Sequence, residues 1–477
     1  MRAVIAVAVA LVALRLLLYL LFEQVSFDSD QAIVGLMAKH LAEGRAFPLF
    51  FYGQTYMLGV ESWTAAPFVA IAGPTVGALR MSILAWNVAA AVLLIKALER
   101  NAGLSRWTAL APALFFVAAP LSIANMLAWA QGGVIEPFVY VVILWLLRDR
   151  PLWFGAVLAL GFLNREFTLY AVPVLLVVDA LTARLTWERA RAWLASMVAF
   201  FIVWESIEAL KRFADLSGPG TRGQLIGGFS GSQVGNLLAR FDWQPGELAD
   251  RVTRLTPDLF AWFIGAGQVD TDFPLADRRW LAWIVAAAVI LLAARLVVLV
   301  KRTPHAIERA PFAWYLLGVG LLASIAFIVG KPRMSGYARY ATLGLLTPVG
   351  LTASMLALEW RPAVRRLVVA ATIAWAALMV VDHSRVLIGF LRHPPPNPSR
   401  AIADRLVARH VDVAEAGYWD AYLITFLARE RVRVASQDFI RVDEYQQVAA
   451  ERSPNVTIRD EPCRDGERIG NKYLCGP

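Results

Sequence analysis

Apolar stretches of about 20 residues recur from the first residues of this 477-residue chain to about residue 390, each long enough to cross a hydrocarbon core of about 30 Å. In such a solvent every backbone polar group must be paired inside the protein, which leaves helix as the default for each stretch. Apolar windows lie near residues 3–22, 63–98, 107–125, 133–147, 152–163, 167–181, 192–210, 280–300, 311–330, 341–359 and 367–390, predicting about eleven spans. Composition agrees: 58% of residues are hydrophobic and 17% charged, against about 45–50% and 25% in soluble domains. The 3–22 window reads as a first span rather than a cleaved leader. It is longer than a leader's apolar core, Arg15 interrupts it, and no small-residue cleavage site follows Phe22.

A net charge of +9 and a pI near 9.7 do not point to nucleic acid, because Lys and Arg sit in short clusters between the apolar windows. With a cytoplasmic N-terminus, those clusters (Arg100 and Arg106; Arg148 and Arg150; Arg184, Arg189 and Arg191; Lys301, Arg302 and Arg309; Arg361, Arg365 and Arg366) all fall inside, as the positive-inside rule requires. The long polar segments 23–62, 211–279, 330–340 and the tail from His393 then lie outside. The division is a transmembrane module over 1–390 and, after Pro394-Pro395-Pro396-Asn397-Pro398, an external domain over 391–477. Helical spacing over Ser399–His410 and alternation over Arg431–Ala435 make that domain a small α/β unit. Cys463 and Cys475 are the only cysteines; in an oxidising compartment they can close a short loop.

The first external segment carries Phe27-Asp28-Ser29-Asp30-Gln31, followed by Ile33, Leu36, Met37 and Leu41 on one helical face. This predicts an amphipathic helix at the membrane surface, with Lys39 and Glu43 wet. Ser29 or Asp30 can cap it, and an ionised Asp28 or Asp30 can equally take a proton from a hydroxyl. Two carboxylates spaced D-x-D are also a weak signal for Mg or Mn; five scattered histidines give no zinc site. We expect no metal, and a divalent cation at Asp28/Asp30 is the disfavoured alternative.

Four segments resemble the GT-C superfamily of membrane glycosyltransferases, of the protein mannosyltransferase and aminoarabinose transferase type. They are the acidic motif at 27–31; Phe51-Tyr52-Gly53-Gln54-Thr55-Tyr56 with Glu61 and Ala66-Pro67; Gly336-Tyr337-Ala338-Arg339-Tyr340 before Thr347-Pro348; and Gly417-Tyr418-Trp419-Asp420-Ala421-Tyr422 with Thr425-Phe426-Leu427. Many members carry Asp-Glu in the first loop where this chain has Asp30-Gln31. The resemblance implies a GT-C helical bundle in a bacterial cytoplasmic membrane. It also implies a polyprenyl-phosphate sugar donor and an extracytoplasmic lipid, glycan or protein acceptor.

On that reading Asp30 is the general base and Asp28 a second acid. The leaving phosphate needs cations, for which Arg339, Arg333, Lys331 and Arg165 are candidates; Tyr52, Gln54, Tyr56, Glu61, Tyr337, Tyr340 and Glu166 are candidate substrate contacts. For Arg165 and Glu166 a structural pair or a simple short loop is an equal reading, and Arg15 reads as packing or snorkelling. The Gly-rich stretch 218–235 is a candidate lid or a plain loop. Two other classes compete: a transporter for a lipid-linked glycan, which would show matching halves, and a non-catalytic glycan-binding membrane protein.

Overall fold

The computed structural model describes residues 2–240, 244–269, 273, 278–464 and 466–476, so the expected external loop 211–279 lies partly outside the described residues. The chain begins with α1 (Arg2–Leu21), α2 (Ser29–Ala42), α3 (Val60–Ala72), α4 (Val76–Asn101), α5 (Arg106–Val117) and α6 (Leu121–Leu127). It continues with α7 (Glu136–Leu147), α8 (Pro151–Asn164), α9 (Ala171–Leu181), α10 (Trp187–Leu210), α11 (Gln233–Arg240), α12 (Leu248–Ile264) and α13 (Arg279–Arg302). The membrane part closes with α14 (Ala306–Arg309), α15 (Pro311–Gly330), α16 (Leu346–Leu358) and α17 (Pro362–Arg392).

Among the described residues seven helices are long and apolar enough to cross a membrane, and α5 with α6, bent by 83°, makes an eighth if counted as one broken span. The chain is a multi-pass membrane protein. The expected count of eleven is not confirmed. Helices α7 and α8 have 12 and 14 residues, roughly 18 and 21 Å at 1.5 Å per residue. The 63–98 window splits at Gly73-Pro74 into α3 and α4.

The α7–α8 and α9–α10 turns share one end of the bundle: Arg184 donates to Asp149 at 2.6 Å, and Arg189 to Asp179 at 2.6 Å and to the Arg148 carbonyl at 2.5 Å. The opposite end holds the start of α7, the end of α8 and the turn before α16.

Helix ends inside the bundle account for two of the buried cations, Arg15 and Arg80. Where α5 gives way to α6, Arg15 donates to the Phe116 carbonyl and to Asn87, and His383 reaches the Ala119 carbonyl at 2.9 Å. Arg80 donates to the carbonyls of Tyr19, Phe22 and Val25 at the end of α1. Freed carbonyls in a membrane need such donors, so Arg15 packs, as expected.

After the proline segment come α18 (Pro398–Ala408), β1 (Val413–Ala416), α19 (Tyr418–Leu427), β2 (Arg433–Ser436) and α20 (Asp443–Arg452). Strands β3 (Val456–Arg459), β4 (Glu467–Ile469) and β5 (Lys472–Cys475) complete a sheet of order β2-β1-β3-β5-β4. Strands β2 and β3 flank β1 in parallel, whereas β5 runs antiparallel to β3 and β4. Cys463 and Cys475 are disulfide-bonded, their Cα atoms 5.9 Å apart.

Helix α19 lies on α2, and this corrects the expectation that Lys39 is wet, while Glu43 stays exposed. Phe426 sits so close to Gly35 that a Cβ there would approach its ring to 2.5 Å. Ser29 Oγ donates to the Tyr418 carbonyl at 2.7 Å. Residues Gln31 to His40 are all buried, Lys39 included. The cost of burying Lys39 and His40 is offset by Glu430, which accepts from Lys39 and lies 2.9 Å from His40 Nε2. Hydrogen bonds and charge from His40, then Lys39 and Tyr445, outweigh the upward push of burial and hold the Glu430 carboxyl well below the usual carboxylate range.

Candidate active site

The acidic motif is built by the start of α2. Asp28, rather than Ser29 or Asp30, is the N-cap, its carboxylate accepting from the Gln31 N–H at 3.0 Å. A cap position ordinarily lowers a carboxyl pKa. Here burial, followed by the charge of Asp30, raises Asp28 from 3.8 to about 6, against the Gln31 hydrogen bonds and Arg339. Gln31 is a brace: its Nε2 donates to the Ser26 carbonyl at 2.7 Å, and its Oε1 accepts from the Ala130 N–H at 3.2 Å.

That brace positions the loop between α6 and α7. Gln131 Nε2 donates to Asp30 Oδ2, and Gln131 Oε1 accepts from Arg339 at 2.8 Å. Gly132 and Gly133 follow with φ of +87° and +72°, left-handed backbone that glycine adopts without penalty. The Gly133 N–H donates to Glu61 at 2.6 Å and to Glu136 at 3.1 Å. Arg165 Nε donates to the Gly132 carbonyl at 2.9 Å, and its stem lies where a Gly133 side chain would be: a Cβ would stand 1.5 Å from Arg165 Cγ.

The remaining partners of the site come from two sides. Arg339 starts the turn before α16 and donates to the Tyr340 hydroxyl at 3.2 Å. From the C-terminal domain, Tyr418 donates its hydroxyl to Asp30 Oδ1. Burial, then the Asp30 charge, pushes the Tyr418 phenol well above its ordinary pKa. Arg441 donates to the Gly53 carbonyl at 3.0 Å and stacks among the rings of Phe51, Phe229 and Tyr418 at 5.4, 5.1 and 5.7 Å. The cavity holds about 160 Å³, and Asp30, Arg165, Arg339 and Arg441 all line it. One carboxylate among three guanidinium groups suits an anionic ligand.

Of the candidates read from the sequence, Asp30, Gln54, Tyr56, Arg165, Arg339 and Tyr340 line this cavity. Lys331 and Tyr337 stand at its rim: the Lys331 ammonium lies 5.0 Å from the Tyr340 ring and 5.2 Å from that of Tyr337. Asp28 and Glu61 are one layer behind, and Glu166 is buried in the turn before α9. Tyr52 is turned away, its hydroxyl 3.2 Å from His40 Nδ1. Arg333 is exposed.

Sequence reasoning missed Gln131, Tyr418 and Arg441. Gln131-Gly132-Gly133 was legible as a polar break between apolar helices, and Tyr418 lay inside a motif already noted; Arg441 carries no local signal. The Gly-rich stretch and the residues just before it are stitched to both sides of the site. Gly53 N–H donates to the Leu216 carbonyl at 2.7 Å, Phe229 N–H to Gly53 at 2.8 Å, and Asp443 N–H to Ser217 at 2.8 Å.

Within the bundle a second, apolar cavity of about 860 Å³ lies among α12, α13, α15, α16 and α17, with Leu259, Phe263, Ile325, Ile328, Leu351 and Trp375 in its walls. Val329 of α15 lines it as well, two residues before Lys331 at the rim of the polar cavity.

No protein-family model matches this sequence, and no curated protein matches it closely. Among solved structures, the apo oligosaccharyltransferase of Archaeoglobus fulgidus superposes with a TM-score of 0.51 at 13% identity, over 96% of this chain and 69% of that one. The chain has the GT-C fold. Two further structures are similar. They are AglB of the same organism with an inhibitory peptide and a dolichol-phosphate (TM-score 0.47, 12% identity, 96% and 69% covered), and ArnT of Cupriavidus metallidurans bound to undecaprenyl phosphate (0.43, 11%, 99% and 97%). In this chain the polar cavity lies where the bundle meets the small C-terminal domain, and both contribute side chains to it.

Proposed function

We propose that this protein is a membrane glycosyltransferase that moves a hexosyl or pentosyl group from a polyprenyl-phosphate donor to the hydroxyl of an extracytoplasmic acceptor. The observation that carries the reading is the convergence of Asp30 with Arg165 and Arg339 in one small cavity; a larger apolar cavity runs along α15 as far as Val329, two residues before Lys331. The sugar phosphate fits the first and part of a prenyl chain the second. The name of the oligosaccharyltransferase that shares the fold agrees with glycosyl transfer.

In the reaction, the acceptor oxygen attacks the anomeric carbon while its proton passes to Asp30. The bond from that carbon to the phosphate oxygen breaks, and the lipid phosphate leaves with the electron pair. Arg339 and Arg165 meet the growing negative charge, with Lys331 at the rim; such donors are worth most where water is excluded. Asp28, titrating near 6, acts from behind as the second acid.

The site faces the side opposite the arginine-rich turns. We therefore assign those turns to the cytoplasm of a bacterial cell and the C-terminal domain to the outside, where the Cys463–Cys475 disulfide is at home.

Asp30→Asn tests the reading. Transfer from undecaprenyl-phosphate sugars in proteoliposomes should fall by about 10²–10⁴-fold with the thermal midpoint kept. Full activity would remove Asp30 from the role of base.

A further inference from the structure

Arg441 lines the polar cavity and is only 8% exposed, yet among the described residues it makes no ion pair. It donates to the Gly53 carbonyl at 3.0 Å and lies against the Tyr418 hydroxyl, both neutral groups. Its Nε is buried with no hydrogen-bond partner. The acids nearest to it in its own domain are used elsewhere: Asp438 accepts from the Tyr418 N–H and from Ser436, and Asp443 from Gln447. Arg339, in contrast, feels the charges of both Asp30 and Asp28.

The guanidinium is also fixed before any ligand arrives. Its stem packs on Gly53, where a Cβ would approach Arg441 Cδ to 2.6 Å, and the rings of Phe51, Phe229 and Tyr418 surround its head. Ring faces attract a cation but cancel none of its charge, and a buried charge without a counter-charge is costly. A group already immobilised loses little freedom on binding. Arg441 and Arg339 reach the cavity from different parts of the chain. Arg339 shares the Tyr340 ring with Lys331, at 5.1 and 5.0 Å, whereas Arg441 comes from the C-terminal domain and stands beside Phe229, an exposed ring of the Gly-rich stretch.

We propose that Arg441 forms a second anion subsite, which takes a phosphate or carboxylate group distinct from the phosphate that Arg339 and Lys331 meet. The inference rests on the transferase reading for the identity of that first anion. The second anion can come from either substrate: an acidic group beside the acceptor hydroxyl, or a second phosphate on the donor lipid. In both cases the planar guanidinium offers parallel N–H donors to two oxygens. A neutral substrate of the same shape is rejected, because it leaves Arg441 buried without a counter-charge.

The test is equilibrium binding to the full-length protein in nanodiscs at constant ionic strength, with the thermal midpoint as a second readout. The lipid probes are undecaprenyl phosphate and undecaprenyl diphosphate. The soluble probes are glycerol 3-phosphate and glucuronate, with glycerol and glucose as neutral controls. If the second anion belongs to the acceptor, a soluble anion binds beside bound undecaprenyl phosphate and raises the midpoint, while the neutral controls do neither. If it belongs to the donor, the diphosphate binds about 10-fold or more tightly than the monophosphate. Arg441→Gln removes whichever gain is seen, and Arg441→Lys, which keeps the charge but not the paired donors, restores part of it.

An Arg441 that only holds the fold together gives a different pattern: Arg441→Gln lowers the ligand-free midpoint and weakens undecaprenyl phosphate as much as the second anion. That pattern, or the absence of both gains in the wild type, overturns the subsite while the transferase reading stands. If the wild type does not bind undecaprenyl phosphate at all, the transferase reading fails instead. The subsite is then judged on the lipid-free protein, where binding of glycerol 3-phosphate that is lost in Arg441→Gln upholds it and no such binding overturns it.

Discussion

Replacing Asp28 with Asn should make the protein more stable at neutral pH. Asn is as good an N-cap as Asp, so the 3.0 Å bond from the Gln31 N–H survives the exchange. What disappears is a charge that the fold disfavours: the Asp28 carboxyl titrates at about 6 rather than 3.8 because it is buried and faces Asp30. A shift of this size corresponds to about 2–3 kcal/mol, after some discount for partial solvent exposure.

The sign follows from proton counts. Between pH 4 and pH 6 the folded protein keeps a proton on Asp28 that the unfolded chain has released, so stability falls as pH rises through this window. Above pH 6 the full penalty applies; below pH 4 there is none. The assay is the thermal midpoint in detergent at a fixed scan rate, measured from pH 4 to 8 for both proteins. The difference in favour of Asp28→Asn should open between pH 4 and 6 and stay level above. A variant less stable than the wild type at pH 7.5, or a difference independent of pH, would refute the reasoning. Transfer activity should fall if Asp28 serves as the second acid, giving a variant that is more stable and less active.

Two further outcomes follow from the packing. Gly133→Ala places a Cβ on the Arg165 stem in a left-handed turn; it should lose about 1–3 kcal/mol, visible in the thermal midpoint, and should weaken inhibition by undecaprenyl phosphate. Glu430→Gln leaves Lys39 and His40 buried beside an uncharged amide, for a loss on the order of 3–5 kcal/mol. Because the Glu430 pKa is depressed in the fold, its contribution is present above the ordinary value of 4.5 and is lost as pH falls. The midpoint gap between wild type and Glu430→Gln should therefore narrow on acidification.

The bundle was legible because length and apolarity alone specify a span, and Asp30 and Arg339 were legible because each sits in a compact polar motif at a helix start. What local sequence could not show was contact at long range. Helix α2 reads as amphipathic with Lys39 in water, since its second covering, α19, lies some 390 residues away. Tyr418 and Arg441 enter the site by the same docking. Helix α12 was missed for another reason: Leu248, Val252, Leu255, Leu259 and Trp262 follow helical spacing, yet the segment falls in a stretch read as loop because it is too polar to span. The span count is not confirmed at α7, α8 and α9, whose apolar windows read as full crossings but whose lengths stop well short of about 30 Å.

The interlock of α2 with α19 also sets an order of events during synthesis. Residues 29–42 leave the ribosome early, but the partner that covers them is about 388 residues behind. At about 5–20 residues per second, some 20–80 s pass with Lys39, His40 and the apolar side of α2 uncovered. Over that interval the nascent chain displays a half-finished surface that chaperones or proteases can read.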